Sequence, residues 1–322
     1  MAVTQPKPPL IVICGATGIG KTSTAIALAR TFGGEIVGAD SMQIYKHMDI
    51  GTAKPTPAER RAVPHHLVDI IEPDEPFDAA RYAQAARGVV GNLHETGILP
   101  FAVGGTGLYI KALTQGIFQA RPGAPGVRDR LRAECGALGA SALHERLRRV
   151  DPVSAERVHP NDAYRILRAL EISETTGKPM SAHQADHRFQ ESPYSVLKIG
   201  LEMDRAALYD RIDRRVDIML EAGLLKEVQR LLEMGYGPEL KAMQSIGYRH
   251  MVDYLQGRLS WEEAMRTLKR DTRRYAKRQF TWFRKDTAVN WFSPDAVDAI
   301  RLKIKNFLQP PSIYSNIMPD HS

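Results

Sequence analysis

The sequence predicts an α/β fold in which a parallel sheet, flanked by helices, is interrupted by an all-helical insertion domain, and three observations support this. The apolar run LIVIC (10–14) passes through the glycine-rich GATGIGKT (15–22) into a helical pattern, the strand–loop–helix order with which a parallel sheet begins. Strand-like runs then alternate with helical ones, the rhythm of βαβ units. A Pro/Gly stretch, QARPGAPG (119–126), ends that rhythm, and 127–185 carry only helical periodicity, which reads as an insertion.

Taken in order, LIVIC has no polar residue, as a strand covered on both faces requires, and TSTAIALARTF after it has the composition and spacing of a helix. EIVGAD (35–40) and HLVDI (66–70) read as the second and third strands. FDAARYAQAARGVVGNLHETG (77–97) is the next helix, LPFAVGG (99–105) the fourth strand, and TGLYIKAL (106–113) follows it. In the insertion, VRDRLRAECGALGASALHERLRRV and NDAYRILRALEISETTG are helical, and polar DHRFQESPYS (186–195) closes it. VLKIGLEMD (196–204) returns to strand character and is assigned to the same sheet. Residues 205–285 are helical in pattern, VNWF is a short strand, and LQPPSIYSNIMPDHS (308–322) has the look of a disordered tail. The expected division is a core of 10–118 and 196–295, which includes the C-terminal helices, and an insertion of 119–195.

A chain of 322 residues, 43% hydrophobic and 25% charged, has the balance of a folded, enzyme-sized globular protein. Its net charge of +7 tolerates an anionic partner. The two cysteines, Cys14 and Cys135, give no disulfide framework and fit a reducing compartment. MAVTQPKPPL lacks the apolar centre of a signal peptide, and no run approaches bilayer-spanning length. The expectation is a cytoplasmic monomer without membrane attachment.

GATGIGKT is the pattern of a phosphate cradle, and with its strand and helix it makes the core P-loop NTPase-like. Gly15, Gly18 and Gly20 let the backbone curl, so that N–H groups along Gly15, Ala16, Thr17, Gly18, Ile19 and Gly20 point inward. The helix start adds its positive end, Lys21 a point charge, and Thr22 a hydroxyl suited to Mg²⁺. Ligands of an open parallel sheet collect beyond the carboxyl ends of the strands. After the second strand stands Asp40, followed by Ser41, Met42 and Gln43. Asp40 suits a turn cap as well as it suits chemistry. After the fourth strand, Thr106 has the place of an ordinary helix N-cap. The adjacent His65 and His66 have poor spacing for a metal and read as structural.

The stretch from Arg266 to Lys285 carries nine cations, among them Arg273, Lys277 and Arg278, interleaved with aromatic residues, and Asp271 is its one acid. That composition suits RNA backbone, the other reading being a solvated basic helix with an aromatic core face.

GATGIGKT, DSMQIYKHMDIGTAKP, HHLVDI, VGGTGLYIKAL, NDAYRILRALEI, SIGYRHMVDYL and TRRYAKRQFTWFR occur in that order over about residues 10–290. The series resembles that of the tRNA dimethylallyltransferases, also called tRNA isopentenyltransferases. The resemblance implies that the loop holds dimethylallyl diphosphate. Its prenyl group would pass to the exocyclic amine of the adenosine immediately 3′ of the anticodon, with Mg²⁺ on Thr22. It further implies that Asp40 takes the amine's proton, that Thr106 lies beside the same adenine, and that Ser41, Met42 and Gln43 lie on neighbouring RNA. Tyr164, Arg165, Ile166, Leu167 and Arg168, together with Arg128, match tRNA-contact positions, which makes the anticodon stem-loop the macromolecular partner. A second clamp on the diphosphate comes from α-helical LYDRIDRRVDIML, at Arg211 or Arg215, the latter being taken here. Two positions depart from the pattern: Gly18-Ile19 where Ala-Ser is common, and His250 where Gln is usual.

Three other functions share parts of this sequence. A nucleotide kinase shares the P-loop and the parallel core. A prenyltransferase acting on free adenine nucleotides needs neither the insertion nor the basic helix. An RNA-binding protein without activity leaves the P-loop and Asp40 unexplained.

Overall fold

The computed structural model describes residues 7–117, 126–187 and 193–309. Six strands form one sheet in the order β3-β2-β4-β1-β5-β6, every neighbouring pair parallel. The first half alternates β1 (Pro9–Gly15), α1 (Lys21–Phe32), β2 (Glu35–Gly38), α2 (Pro57–Ala62), β3 (His65–His66), α3 (Ala79–Glu95), β4 (Pro100–Gly104) and α4 (Gly107–Gln115). The helices α5 (Val127–Leu138), α6 (Ala140–Val150), α7 (Pro152–Arg157), α8 (Ala163–Thr176) and α9 (Met180–His187) come next. The chain then returns with β5 (Ser195–Leu201), α10 (Arg205–Glu221), α11 (Leu224–Glu233), α12 (Tyr248–Leu255), α13 (Trp261–Phe283), β6 (Val289–Phe292) and α14 (Val297–Leu308).

The chain divides into two compact units, 1–114 with 193–322, and 115–192. The core of the first is the apolar face of the sheet and its helices, including Ile11, Ile13, Phe101, Ile199 and Leu201, all fully buried. The core of the second is a helical cluster around Leu131, Leu147, Ile166 and Leu170. Both follow from pattern: the central strand β1 is apolar throughout its buried length, while the helices bury one stripe each.

Three expectations need adjustment. HLVDI is not a five-residue strand, because only His65 and His66 pair with β2. Leu67 and Asp69 adopt left-handed backbone (φ 60° and 58°), which no ladder admits, and the Asp69 and Ile70 N–H groups bond instead to the carbonyls of Gln43 and Ile44. Helix α14 was not foreseen; it buries Ile300 and Ile304 in the main core. It extends to Leu308, so the tail expected from 308 begins in a helix, and residues 310–322 lie outside the described residues. Most of the Pro/Gly linker (119–125) and residues 188–192 of the closing segment lie outside them as well.

Candidate active site

The carboxyl ends of β1, β2 and β4 carry the three loops singled out above, and the tertiary structure joins them. Gly20, with φ 105°, is the left-handed residue that lets the phosphate loop turn into α1. Ala16 and Ile19 are fully buried, so only their backbone faces a ligand. The Lys21 side chain curls back over the loop, and its Nζ donates to the Ala16 carbonyl at 2.7 Å.

Beside this loop lies a cavity of about 340 Å³ lined by Thr17, Lys21, Thr22, Asp40, Arg211 and Arg215, among others. Its apolar wall is on the β2–β4 side: Ile36, Val68 and Val103 line it, Gly38 pairs with Val103 in the sheet, and Val68 packs on Gly38. Arg211 lies next to Gly20, so the cationic side is at the phosphate loop. Arg211 and Arg215 are four apart on α10 and therefore share a face. Both line the cavity. An anionic head with an apolar tail fits this arrangement.

Burial pulls the Lys21 ammonium down to about 8, with Arg215 lowering it further and Asp40 opposing. Burial also depresses the Arg215 guanidinium, against the attraction of Asp40. The protonated lysine binds an anion, so inorganic pyrophosphate affinity should be full below about pH 8 and fall as pH rises through it. Titration calorimetry across that range checks this. The Lys21→Arg variant keeps its charge and should lack the fall; an identical fall in that variant would assign the effect elsewhere.

Asp40 holds a turn through one of its two oxygens. Its Oδ1 accepts the Met42 N–H at 2.8 Å and, more weakly, that of Gln43 at 3.4 Å, holding a turn and leaving Oδ2 outside that turn. Thr106 is not merely the helix N-cap of the ordinary rules: its hydroxyl accepts the Ser41 N–H at 3.0 Å, tying the β4 loop to the Asp40 loop. Burial, together with the Asp40 charge, raises the Tyr275 phenol against the opposing influence of the neighbouring Thr106 and Gln279 side chains, so it stays protonated. Gln279 was missed by sequence reasoning. Its Oε1 accepts the Thr17 N–H at 2.8 Å and its Nε2 donates to the Gly105 carbonyl at 2.9 Å, which links the phosphate loop to the Thr106 loop.

His65 also lines the cavity, with Nδ1 bonded to the Val63 carbonyl at 2.7 Å and its pKa lowered by burial, so the ring is neutral. His66 pairs with Glu35 at 2.6 Å, a structural role. The Cys14 thiol is pushed up to about 12 by burial and is inert. His250, the departure from the family pattern, is buried, with its Nε2 3.4 Å from Asp271.

Among the described residues no cluster of three His, Cys, Asp or Glu side chains could hold a metal alone. Mg²⁺ does not need one, since it takes one or two protein oxygens and completes its shell with phosphate oxygens and water. The Thr22 hydroxyl on the cavity wall fits that requirement.

The RNA-facing expectations divide. Gln43 spends both amide hydrogens on the Thr52 and Ala53 carbonyls (3.2 and 3.1 Å), leaving its Oε1 for any ligand. Ser41 and Met42 are half-buried. Asp271 is not the only acid that faces the basic stretch of α13: α10 supplies Asp213 to Arg273 at 2.6 Å and Asp217 to Lys269 at 2.6 Å. Arg273 is therefore engaged within the protein, whereas Lys277 and Arg278 are exposed. In the helical unit, Tyr164 is 69% exposed and Arg165 is exposed beside Asp162. Arg128 and Arg168 share Glu171 at 3.6 and 2.9 Å. Ile166 is a correction, being fully buried at that unit's core where its side chain cannot meet RNA, and Leu167 packs against the same core.

A family model described as IPP transferase matches residues 43–286, and one described as isopentenyl transferase matches residues 8–69. The chain is 56% identical to a tRNA dimethylallyltransferase of Syntrophobacter fumaroxidans over 308 residues, 96% of this chain and 90% of the relative. It is 54% identical to one from Desulfosudis oleivorans over 304 residues, 94% of this chain and 97% of the relative. Among solved structures, the full-length tRNA isopentenylpyrophosphate transferase of Bacillus halodurans is similar at a TM-score of 0.70 and 43% identity, covering 94% of this chain and 97% of that one. A eukaryotic dimethylallyltransferase captured acting on tRNA is similar at a TM-score of 0.79 and 29% identity, covering 93% and 80%.

Proposed function

This chain belongs to the tRNA dimethylallyltransferase family, and on that premise we propose that it transfers the dimethylallyl group of dimethylallyl diphosphate to the exocyclic amine of the adenosine immediately 3′ of a tRNA anticodon, releasing pyrophosphate. The observation that carries this reading is the cavity itself, which sets a cationic phosphate loop, an apolar wall and Asp40 within one space. The diphosphate lies on the loop N–H groups with Lys21, Arg211 and Arg215 around it, and the prenyl carbons lie against Ile36, Val68 and Val103. Thr22 would hold Mg²⁺ at this site, where the ion would supply positive charge to the leaving group.

The adenine amine is a weak nucleophile, because its lone pair is delocalised into the ring. Asp40 accepts its hydrogen bond, and Thr106, held by Ser41, orients the base. The amine nitrogen forms the bond to the first prenyl carbon while the carbon–oxygen bond breaks. Its electron pair leaves on pyrophosphate, where fixed N–H dipoles and the cations stabilise it, and the surplus proton passes to Asp40. The base must leave the anticodon-loop stack to reach this site, at a cost of a few kcal/mol. Contacts from Lys277 and Arg278, and from Tyr164, Arg165, Arg168 and Arg128 in the helical unit, offset that cost. No helix among the described residues is long and apolar enough to cross a membrane, and a monomer acting in the cytoplasm on tRNA completes the reading.

Incubation with tRNA, Mg²⁺ and dimethylallyl diphosphate, followed by nucleoside analysis, tests it. Prenylated adenosine is the expected product, and phosphate transfer from ATP in its place would support a kinase. The backbone grip of α13 has its own test. Because Arg273 is held by Asp213, the informative variant is Lys277→Gln with Arg278→Gln. Its tRNA affinity across a salt series should show a slope flattened by about 0.7 for each lost phosphate contact if the loop behaves as single-stranded RNA. Substrate and non-substrate tRNAs should weaken alike, and slopes parallel to the parent's would refute the assignment.

A further inference from the structure

We propose that Glu227, on α11 and outside the cavity lining, is a positioning residue that sets the Gln43 side of the active site by gripping the backbone of residues 49–51. Its carboxylate is buried, and four donors converge on it. The N–H groups of Asp49 and Ile50 reach Oε2 at 2.9 Å each, the N–H of Gly51 reaches Oε1 at 3.1 Å, and the Tyr248 hydroxyl donates to Oε1 at 2.6 Å. Three consecutive backbone N–H groups pointing at one charge form an anion nest, and here the anion is the protein's own side chain. Gly51 is pressed against α12, since a Cβ there would lie 2.4 Å from the Tyr248 ring.

The grip continues to the site in two steps. The gripped turn is closed by the Ala53 N–H on the Ile50 carbonyl (3.0 Å) and the Lys54 N–H on the Asp49 carbonyl (3.1 Å). The Thr52 and Ala53 carbonyls of that turn then receive both amide hydrogens of Gln43, whose own N–H is bonded to Asp40 Oδ1. Gln43, Thr52 and Ala53 all line the cavity. Glu227 therefore acts on Asp40 through the turn, without touching the phosphate loop.

This rests on the proposed transferase reading, and two measurements keep the two apart. The first is hydrogen exchange, which does not depend on what the enzyme transfers. In Glu227→Gln the new NH₂ group faces donors it cannot accept from, so amides 49–54 and Gln43 should exchange about tenfold faster or more, with amides 15–22 unchanged. Unaltered exchange at 49–54, or an equal rise in both segments, would overturn the proposal. The second is kinetic: kcat for transfer from dimethylallyl diphosphate to tRNA should fall about 10- to 100-fold, because a displaced base is poorly aligned, with inorganic pyrophosphate affinity within about threefold of the parent. Normal kcat, or loss of kcat and pyrophosphate affinity in the same proportion, would overturn it. Tyr248→Phe removes one bond to Glu227 but leaves the three backbone bonds, so it should keep near-parent exchange and kcat. If it matched Glu227→Gln, the effect would belong to the core and the positioning role would fall. A parent protein that made no prenylated tRNA would defeat the transferase reading alone, leaving the exchange result to decide the grip.

Discussion

Asp40→Asn is expected to lower kcat for transfer to tRNA by about 10²–10⁴-fold while changing the Michaelis constant for tRNA little. Asparagine retains an oxygen for the Met42 N–H, so the turn that Oδ1 now holds at 2.8 Å survives. What is lost is the capacity to take a proton as the amine becomes bonded to carbon. Removing the proton acceptor raises the barrier to the chemical step and leaves ground-state binding of the base largely alone, so the loss belongs in kcat. Steady-state kinetics with saturating donor check this. Near-normal turnover with a raised Michaelis constant would show that Asp40 only positions the base.

Lys21→Ala should weaken dimethylallyl diphosphate binding by about 1.5–3 kcal/mol, the worth of a hydrogen bond to a charged group, while leaving tRNA affinity nearly intact. The side chain lies on the phosphate loop through Ala16 and lines the cavity beside Arg215. Its removal takes one charge from the diphosphate site and none from the exposed cations of α13. Calorimetry with the donor and a separate tRNA binding assay distinguish the two. Unchanged donor affinity would move the anion elsewhere and weaken the transferase assignment.

What could be read from the sequence depended on how local the cause was. The phosphate loop was legible because its strand, glycines and helix start are contiguous, and the parallel sheet was legible because buried strands must be apolar along their length. Asp40 remained ambiguous in sequence for a physical reason: one carboxylate has two oxygens, and the structure gives the turn only Oδ1. HLVDI misled because its composition suits a strand, whereas Asp69 is held by Lys54 and by Arg60 at 2.7 Å with its backbone left-handed.

By itself, the sequence determined the fold class, the glycine-rich loop between β1 and α1, the order of the loops at the strand ends and the basic character of α13. Each is a property of neighbouring residues. Tertiary structure alone decided which partners those residues meet. Gln279 reaches the Thr17 N–H from 262 residues away, Glu227 reaches Ile50 from 177, and Asp213 takes Arg273 from 60. No composition or periodicity encodes such pairs, because hydrogen bonds and ion pairs are set by distances of about 3 Å, and only the packed sheet and helices bring residues so distant in sequence that close.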